Sequence, residues 1–247
     1  MKNLLKMIVL WVLFSICFFW LRNQSGYNVN ILVADLGGLT YLYSTVATIF
    51  AIFAAFIIFF ESERWNNLVD AVKGEVGQLN ELWLWSRHLP EKLKNSFSIN
   101  IKTYLQVILD QEWQEKNKKD IRANKVLDAL HKDIYDVLIE QPSMMPTASA
   151  SFNDLIKFRE KRIHYLSFRL PKMLKITLLF NSVLLLIFSI LIGVYNIYLD
   201  YFFVLGIFSL IYIIYSLIHD MDNPTVKGSF HMDTYDYQEL LTNINNQ

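Results

Sequence analysis

The chain has 247 residues, of which 53% are apolar and 15% aromatic, and its mean hydropathy is +0.27. Its 23 basic residues are matched by 23 acidic ones, so no excess of positive charge favours nucleic acid as a partner. The single cysteine, Cys17, has no intrachain disulfide partner and no companion for a cysteine-based metal centre.

The first apolar run, Met7 to Leu21, follows Lys2 and Lys6. It ends in CFFWLRNQSG rather than in small residues at A-x-A spacing, and it carries Trp11, Phe14, Phe18, Phe19 and Trp20. It therefore reads as a retained, slightly short spanning helix and not as a cleaved signal peptide. A polar connection with Arg22, Asp35, Gly37 and Gly38 leads to the second run, LTYLYSTVATIFAIFAAFIIFF, Leu39 to Phe60. About 20 apolar residues cross a bilayer core as a helix. No proline or paired glycine intervenes before Leu89. One helix is thus predicted over 39–89, apolar in its first half and water-facing in its second.

Helical spacing in that first half gathers Ser44, Thr48, Ala51, Ile52, Ala55 and Phe59 on one stripe. Val46, Phe50, Phe53, Ile57 and Phe60 fall on another, bulkier face, which suits lipid. A stripe of small and hydroxyl residues serves either helix packing or a water-filled lumen, and spacing alone does not separate the two.

The polar region 61–172 reads as helices throughout. Leu68, Val69, Val72, Val76, Leu79, Leu82 and Trp83 form one face of a helix ending before Pro90. Pro90 and Glu91 open the next, with Leu93, Phe97, Ile101, Tyr104, Leu105 and Ile108 on its apolar side. A bend is expected near Asn117. A third helix carries Ile121, Leu127, Leu130, Ile134, Val137 and Leu138, and a loop is expected over PSMMPTAS. Ser151-x-x-Asp154 resembles a capping box opening a fourth helix that bears Arg159, Arg162 and Arg169. Glu75, set among Val72, Val76 and Leu79, is expected to pair with one of those arginines.

Span three runs from Met173 to about Tyr195 and span four from about Tyr201 to Ile218, joined around Asn196 to Asp200 as an antiparallel hairpin. Asn181 lies inside span three, where an amide wants a partner helix or water. Basic residues flank the spans on one side (Lys2, Lys6, Arg64, Lys73, Arg162, Arg169, Lys172, Lys175), whereas the opposite connections carry only Arg22. Both termini and the insert are accordingly expected in the cytoplasm, in a cell (inner) membrane protein. The expected domains are 1–60 with spans one and two, 61–172 as a cytoplasmic helical region, 173–218 as the hairpin, and 219–247 as a cytoplasmic tail.

Catalytic chemistry finds no support. G-x-S-x-G, P-loop, H-E-x-x-H and C-x-x-C patterns do not occur. His219-Asp220 lacks the further ligands of a phosphohydrolase. Asp220-x-Asp222 fails as a calcium loop, with Thr225 at the sixth position and His231 at the twelfth. No metal, cofactor or catalytic residue is expected.

Glu63, Trp65, Ala71 and Glu75 follow span two, with Tyr104 and the Glu112-Trp113 pair further on. Arg159-x-x-Arg162 and Leu170-Pro171 precede span three, and Asp222-Asn223-Pro224 with Gly228 follows span four. This order around four spans resembles the bestrophin-like domain family of bacterial membrane proteins. The resemblance implies an all-α, four-span homo-oligomer, pentameric by preference with a tetramer possible, that conducts small inorganic ions through an axial pore lined by span two. Ser44, Thr48, Ala51, Ile52, Ala55 and Phe59 would then line the pore, with Phe59 as a hydrophobic gate. Glu61, Glu63 and Arg64 would form its cytoplasmic mouth, and Glu75, Arg159, Arg162, Asn223, Pro224 and Gly228 the structural motif. Bestrophins carry an acidic calcium clasp after the Asn-Pro motif; here the stretch is TVKGSFHMD, and the clasp is not carried over. The alternative is a non-conducting membrane-anchored scaffold or sensor whose cytoplasmic helices bind a protein partner.

Overall fold

The computed structural model describes residues 2–23, 36–110, 121–140, 142, 145–192, 196–226 and 228–246. These residues are helical with short connections, and no strand occurs among them. The helices are α1 (Lys2–Arg22), α2 (Leu36–Ser86), α3 (Glu91–Asp110), α4 (Ile121–Glu140), α5 (Met145–Ser167), α6 (Lys172–Ile192), α7 (Ile197–Asp222) and α8 (Tyr235–Asn245). The expected bend near Asn117, the Glu112-Trp113 pair and Tyr195 lie outside the described residues. Three helices are long and apolar enough to cross a membrane, namely those containing Thr40–Ser86, Lys172–Ile192 and Ile197–Asp222. The apolar stretch Ile8–Arg22 of α1 is shorter.

The chain divides into two compact units, each described by itself. The first comprises Met1–Glu61 and Leu170–His219, and the second Ser62–Arg169 and Asp220–Gln247. In the first unit, Phe50, Ala54 and Ile57 of α2 form a core with Leu178, Leu185, Ile211 and Ile218. Ser182 and Ser189 of α6 are buried, their hydroxyls donating to the Leu178 and Leu186 carbonyls at 2.7 and 2.8 Å. A serine that satisfies itself on its own helix lets a neighbour approach closely. On α1, Phe14 stacks on Phe208 with ring centroids 4.7 Å apart, and the Ser15 and Tyr201 hydroxyls lie 2.7 Å apart. Arg22, at the end of α1, donates to the Asp200 carboxylate in the first turn of α7, and both side chains are buried. A cation at a helix C-terminus and an anion at an N-terminus also complement the two helix dipoles.

The second unit packs α3 against α4 and α8 over a core that includes Leu79, Leu82, Phe97, Ile101, Leu105, Leu130 and Leu155. The buried residues of α3 are the six that its spacing singles out. Within α2 the last turn tightens, with Arg87, His88 and Leu89 N–H groups reaching back three residues.

Two boundaries differ from the sequence expectation. The fourth helix of the polar region starts at Met145 and not at Ser151, so Met145 to Ser149 of the expected loop are helical and Ser151 is no cap. Pro146 falls in the first turn, where a missing N–H costs nothing, and Ala148, Ser151, Phe152 and Leu155 continue one buried face. Likewise α7 starts at Ile197, not near Tyr201, because the Asn196 side chain caps it by accepting from the Tyr198 and Leu199 N–H groups at 3.0 and 3.4 Å.

Candidate functional site

The face of α2 that carries Ser44, Thr48, Ala51, Ile52, Ala55 and Phe59 is exposed at every one of these positions. Ile52 and Phe59 retain 67% and 68% of their accessible surface, large values for apolar side chains with a core one turn of helix away. Tyr41, Ile49 and Phe56 are exposed as well and widen the outward arc beyond the stripe. The Thr48 hydroxyl donates to the Ser44 carbonyl at 2.8 Å, and that of Thr45 to Tyr41 at 2.9 Å. Their protons are thus spent on the helix itself, and only oxygen lone pairs are offered outward.

The bulky face runs the other way from expectation. Phe50 and Ile57 are buried, and Val46, Phe53 and Phe60 pack against the same core. The reason is physical: lipid chains are as apolar as leucine, so side-chain size does not distinguish a lipid-facing position from one interlocked with a neighbouring helix. Asn181 of α6 is half-buried and makes no hydrogen bond among the described residues.

Of the three residues expected at a pore mouth, Glu63 is exposed while Glu61 and Arg64 are buried. Arg64 is turned inward. Its guanidinium donates to the carbonyls of Phe168 and Met221 and lies 4.0 Å from the Asp222 carboxylate. Arg169 donates to the Asp222 carbonyl. Two guanidinium groups therefore satisfy carbonyls at the C-terminus of α7, which no helical N–H can reach. Beyond it, the Pro224 carbonyl accepts from the Met232 N–H at 2.9 Å and the Asn223 carbonyl from Val226 at 3.0 Å. Gly228 sits against Asp220, where an added Cβ would stand 2.9 Å from the carboxyl carbon, and the Ser229 N–H donates to that carboxylate at 3.2 Å.

A second polar cluster lies at the heart of the same unit. Arg162 grips Glu75 with both arms of its fork, Nε to Oε2 at 2.6 Å and Nη2 to Oε1 at 3.2 Å. Tyr104 donates to Oε1 at 2.6 Å. Burial pushes the Tyr104 and Tyr237 phenols well above their ordinary range, and the Glu75 charge pushes them further. Burial also works against the Arg162 charge, but the Glu75 charge, the Tyr237 and Tyr104 oxygens and the hydrogen bond to Glu75 together outweigh it and keep the guanidinium protonated. Arg159 is not part of the pair; its Nη2 donates to the Asn124 side chain at 2.7 Å. Gly74, beside Glu75, admits the Phe158 ring so closely that a Cβ would fall 2.4 Å from it.

The Arg22–Asp200 and Arg64 contacts are missing from the sequence reading. Arg22 counted there only as a flanking charge and Asp200 as a loop residue. The signal was their place at helix termini, where an arginine and an aspartate each complement a dipole. Among the described residues, no group of three or more His, Cys, Asp or Glu side chains is arranged to hold a metal ion.

A family model described as "Bestrophin-like domain" matches residues 37–225. No curated protein matches the sequence. Among solved structures, a bacterial bestrophin homologue from Klebsiella pneumoniae bearing a tryptophan-to-alanine mutation aligns with a TM-score of 0.77 at 11% identity, over 98% of this chain and 97% of that one. A bacterial bestrophin homologue from the same species with an aspartate-to-alanine mutation gives 0.75 at 12% identity, over 100% and 98%. A glycine-to-alanine variant described as a membrane protein gives 0.68 at 11% identity, over 83% and 86%. At such identities the likeness is one of fold.

Proposed function

The chain belongs to the bestrophin-like domain family, and from that premise we propose that it is a homo-oligomeric channel for small inorganic ions, with an axial pore lined by α2. The observation that carries this reading is the outward stripe of Ser44, Thr48, Ala51, Ile52, Ala55 and Phe59, none of which the subunit uses for its own core. A face that mixes alanine and hydroxyl with Ile52 and a single ring, Phe59, suits a narrow, weakly polar neck, with Phe59 as its gate. Glu63, the outward member of the Glu61–Glu63–Arg64 trio, lies at the end of the stripe and sets the charge there.

In this reading α1, α2, α6 and α7 are four spans of a cell (inner) membrane, and residues 61–172 and 219–247 are cytoplasmic with both termini. The exposed apolar side of α1, with Ile8, Val12, Leu13, Ile16 and Trp20, supports its place in lipid. The half-buried amide of Asn181, without a hydrogen bond among the described residues, supports a neighbouring copy or water beside α6.

Purified protein in liposomes is expected to pass halide or alkali cations, read by ion-sensitive dyes, and Phe59→Ala is expected to raise that flux. If neither protein passes either class of ion, the channel reading fails. Native mass spectrometry is expected to show a closed ring, five subunits by preference or four; a monomer removes the lumen altogether.

A further inference from the structure

We infer that the groove between α2 and α8 is a binding site for a dibasic amino acid, a small molecule with one carboxylate, two amino groups and an aliphatic stem. The groove has a volume of about 350 Å³, within the range of about 300–1,000 Å³ typical of small-molecule sites. From α2 it takes Lys73, Val76, Gly77 and Asn80, which helical spacing sets on one face. From α8 it takes Asp236, Glu239, Leu240 and Asn243 at the same spacing.

Two observations point to an occupant. The first is the state of the polar rim: none of its five side chains makes a hydrogen bond or ion pair among the described residues, although Lys73 shares the groove with two carboxylates. Five polar side chains line one open space, Lys73, Glu239 and Asn243 exposed and Asn80 and Asp236 half-buried, and all five are accessible to a molecule that enters it. The second is Gly77. A glycine inside a helix weakens it, and Gly74 one turn away has its reason in the Phe158 ring. A Cβ at Gly77 would meet nothing within 4 Å. The subunit's own packing does not require this glycine; a ligand lying on the helix backbone does.

Charge selects the class. One ammonium and two carboxylates on the rim are complemented by one carboxylate and two ammonium groups. Asn80 and Asn243 each add a donor and an acceptor, while Val76 and Leu240 beside the bare Gly77 backbone receive a hydrocarbon stem. Lys73 disfavours a divalent cation at the two carboxylates. This assignment is independent of whether the chain conducts ions.

The test is calorimetric titration of the purified full chain in detergent with L-ornithine and L-lysine. Saturable binding is expected at one site per subunit. Cadaverine, which lacks the carboxylate, and norleucine, which lacks the second amine, are each expected to bind weaker by about tenfold or more. Gly77→Leu fills the floor and is expected to abolish binding. Asp236→Asn combined with Glu239→Gln is expected to weaken it by about tenfold or more. Both variants should retain the parent's circular dichroism, since Gly77 faces open space and the two acids make no side-chain hydrogen bond or ion pair among the described residues. The inference is overturned if neither amino acid binds up to about 10 mM, if Gly77→Leu leaves binding intact, or if cadaverine binds as tightly as lysine. Cross-linking of Gly77→Cys to a neighbouring subunit overturns it too, because the groove is then filled by a second copy.

Discussion

Along its 51 residues α2 is held in two different ways. Before Glu61 the buried side chains are Phe50, Ala54 and Ile57, and the hold on α6 and α7 comes from the fit of apolar surfaces. From Ser62 onward the same helix adds charge to an apolar core: Arg64 reaches the carbonyls of Phe168 and Met221, and Glu75 is enclosed by Arg162, Tyr104 and Tyr237. The consequence is a difference in what a truncation leaves behind. In the first half it leaves a void, whose cost scales with its volume. In the second it leaves a buried charge without its partner, which costs more than the pair itself is worth.

The largest effect is expected at Arg162. Replacing it with methionine strands the Glu75 carboxylate in a site where its own residue is fully buried, and the expected loss is about 3–5 kcal/mol. Thermal unfolding of the detergent-solubilised protein measures it. Adding Glu75→Gln to Arg162→Met should recover most of the loss, since a neutral amide has far less to lose; failure to recover would mean that the arginine acts through packing.

Next in size is Ile57→Ala in the apolar half, where a residue with no accessible surface is cut back. About 2–3 kcal/mol is expected, at the lower part of the range for buried aliphatic truncations. Ile52→Ala, five residues earlier on the exposed face, should stay within about 0.5 kcal/mol. Equal losses at the two positions would erase the distinction between an inward and an outward side of α2.

The phenols around Glu75 add a pH dependence to the charged half. Both have a folded-state pKa raised above the ordinary value of 10.0. The folded protein therefore holds their protons where the unfolded chain releases them. That stability is fully present below about pH 10 and declines above it by about 1.4 kcal/mol per pH unit for each phenol. Tyr237→Phe should make the slope of unfolding free energy against pH shallower by up to about 1.4 kcal/mol per pH unit between about 10 and 11. An unchanged slope would remove Tyr237 from the cluster.

What the sequence made legible follows the same division. In the polar half, an acid among Val72, Val76 and Leu79 had to be paired, and an arginine on α5 was the available cation; the structure supplies Arg162. The buried side of α3 was readable too, because water on one face and core on the other impose helical periodicity. In the apolar half that contrast is absent, and residue size misdirected Phe50 and Ile57 toward lipid. The inward turn of Arg64 was equally hidden. Its partners are main-chain carbonyls of Phe168 and Met221, far along the chain, and a carbonyl leaves no mark in a sequence.

The finest probe is a pair of glycines within the charged half, one turn apart on α2. Alanine improves helix propensity over glycine by up to about 1 kcal/mol, and in open space nothing opposes that gain. At Gly77 the space is open, so Gly77→Ala should stabilise the protein by that amount or somewhat less. At Gly74 the Phe158 ring stands 2.4 Å from the new methyl group. That ring also receives Lys161 at 5.6 Å from its centroid, so it moves only at the expense of a second contact. Overpacking of this kind costs about 1–3 kcal/mol, and subtracting the propensity gain leaves a net loss near 1 kcal/mol. The two substitutions are chemically identical and should shift the unfolding midpoint in opposite directions. Were both to stabilise, Phe158 would be free to retreat, and the close approach of α5 to α2 would not depend on the missing side chain at Gly74.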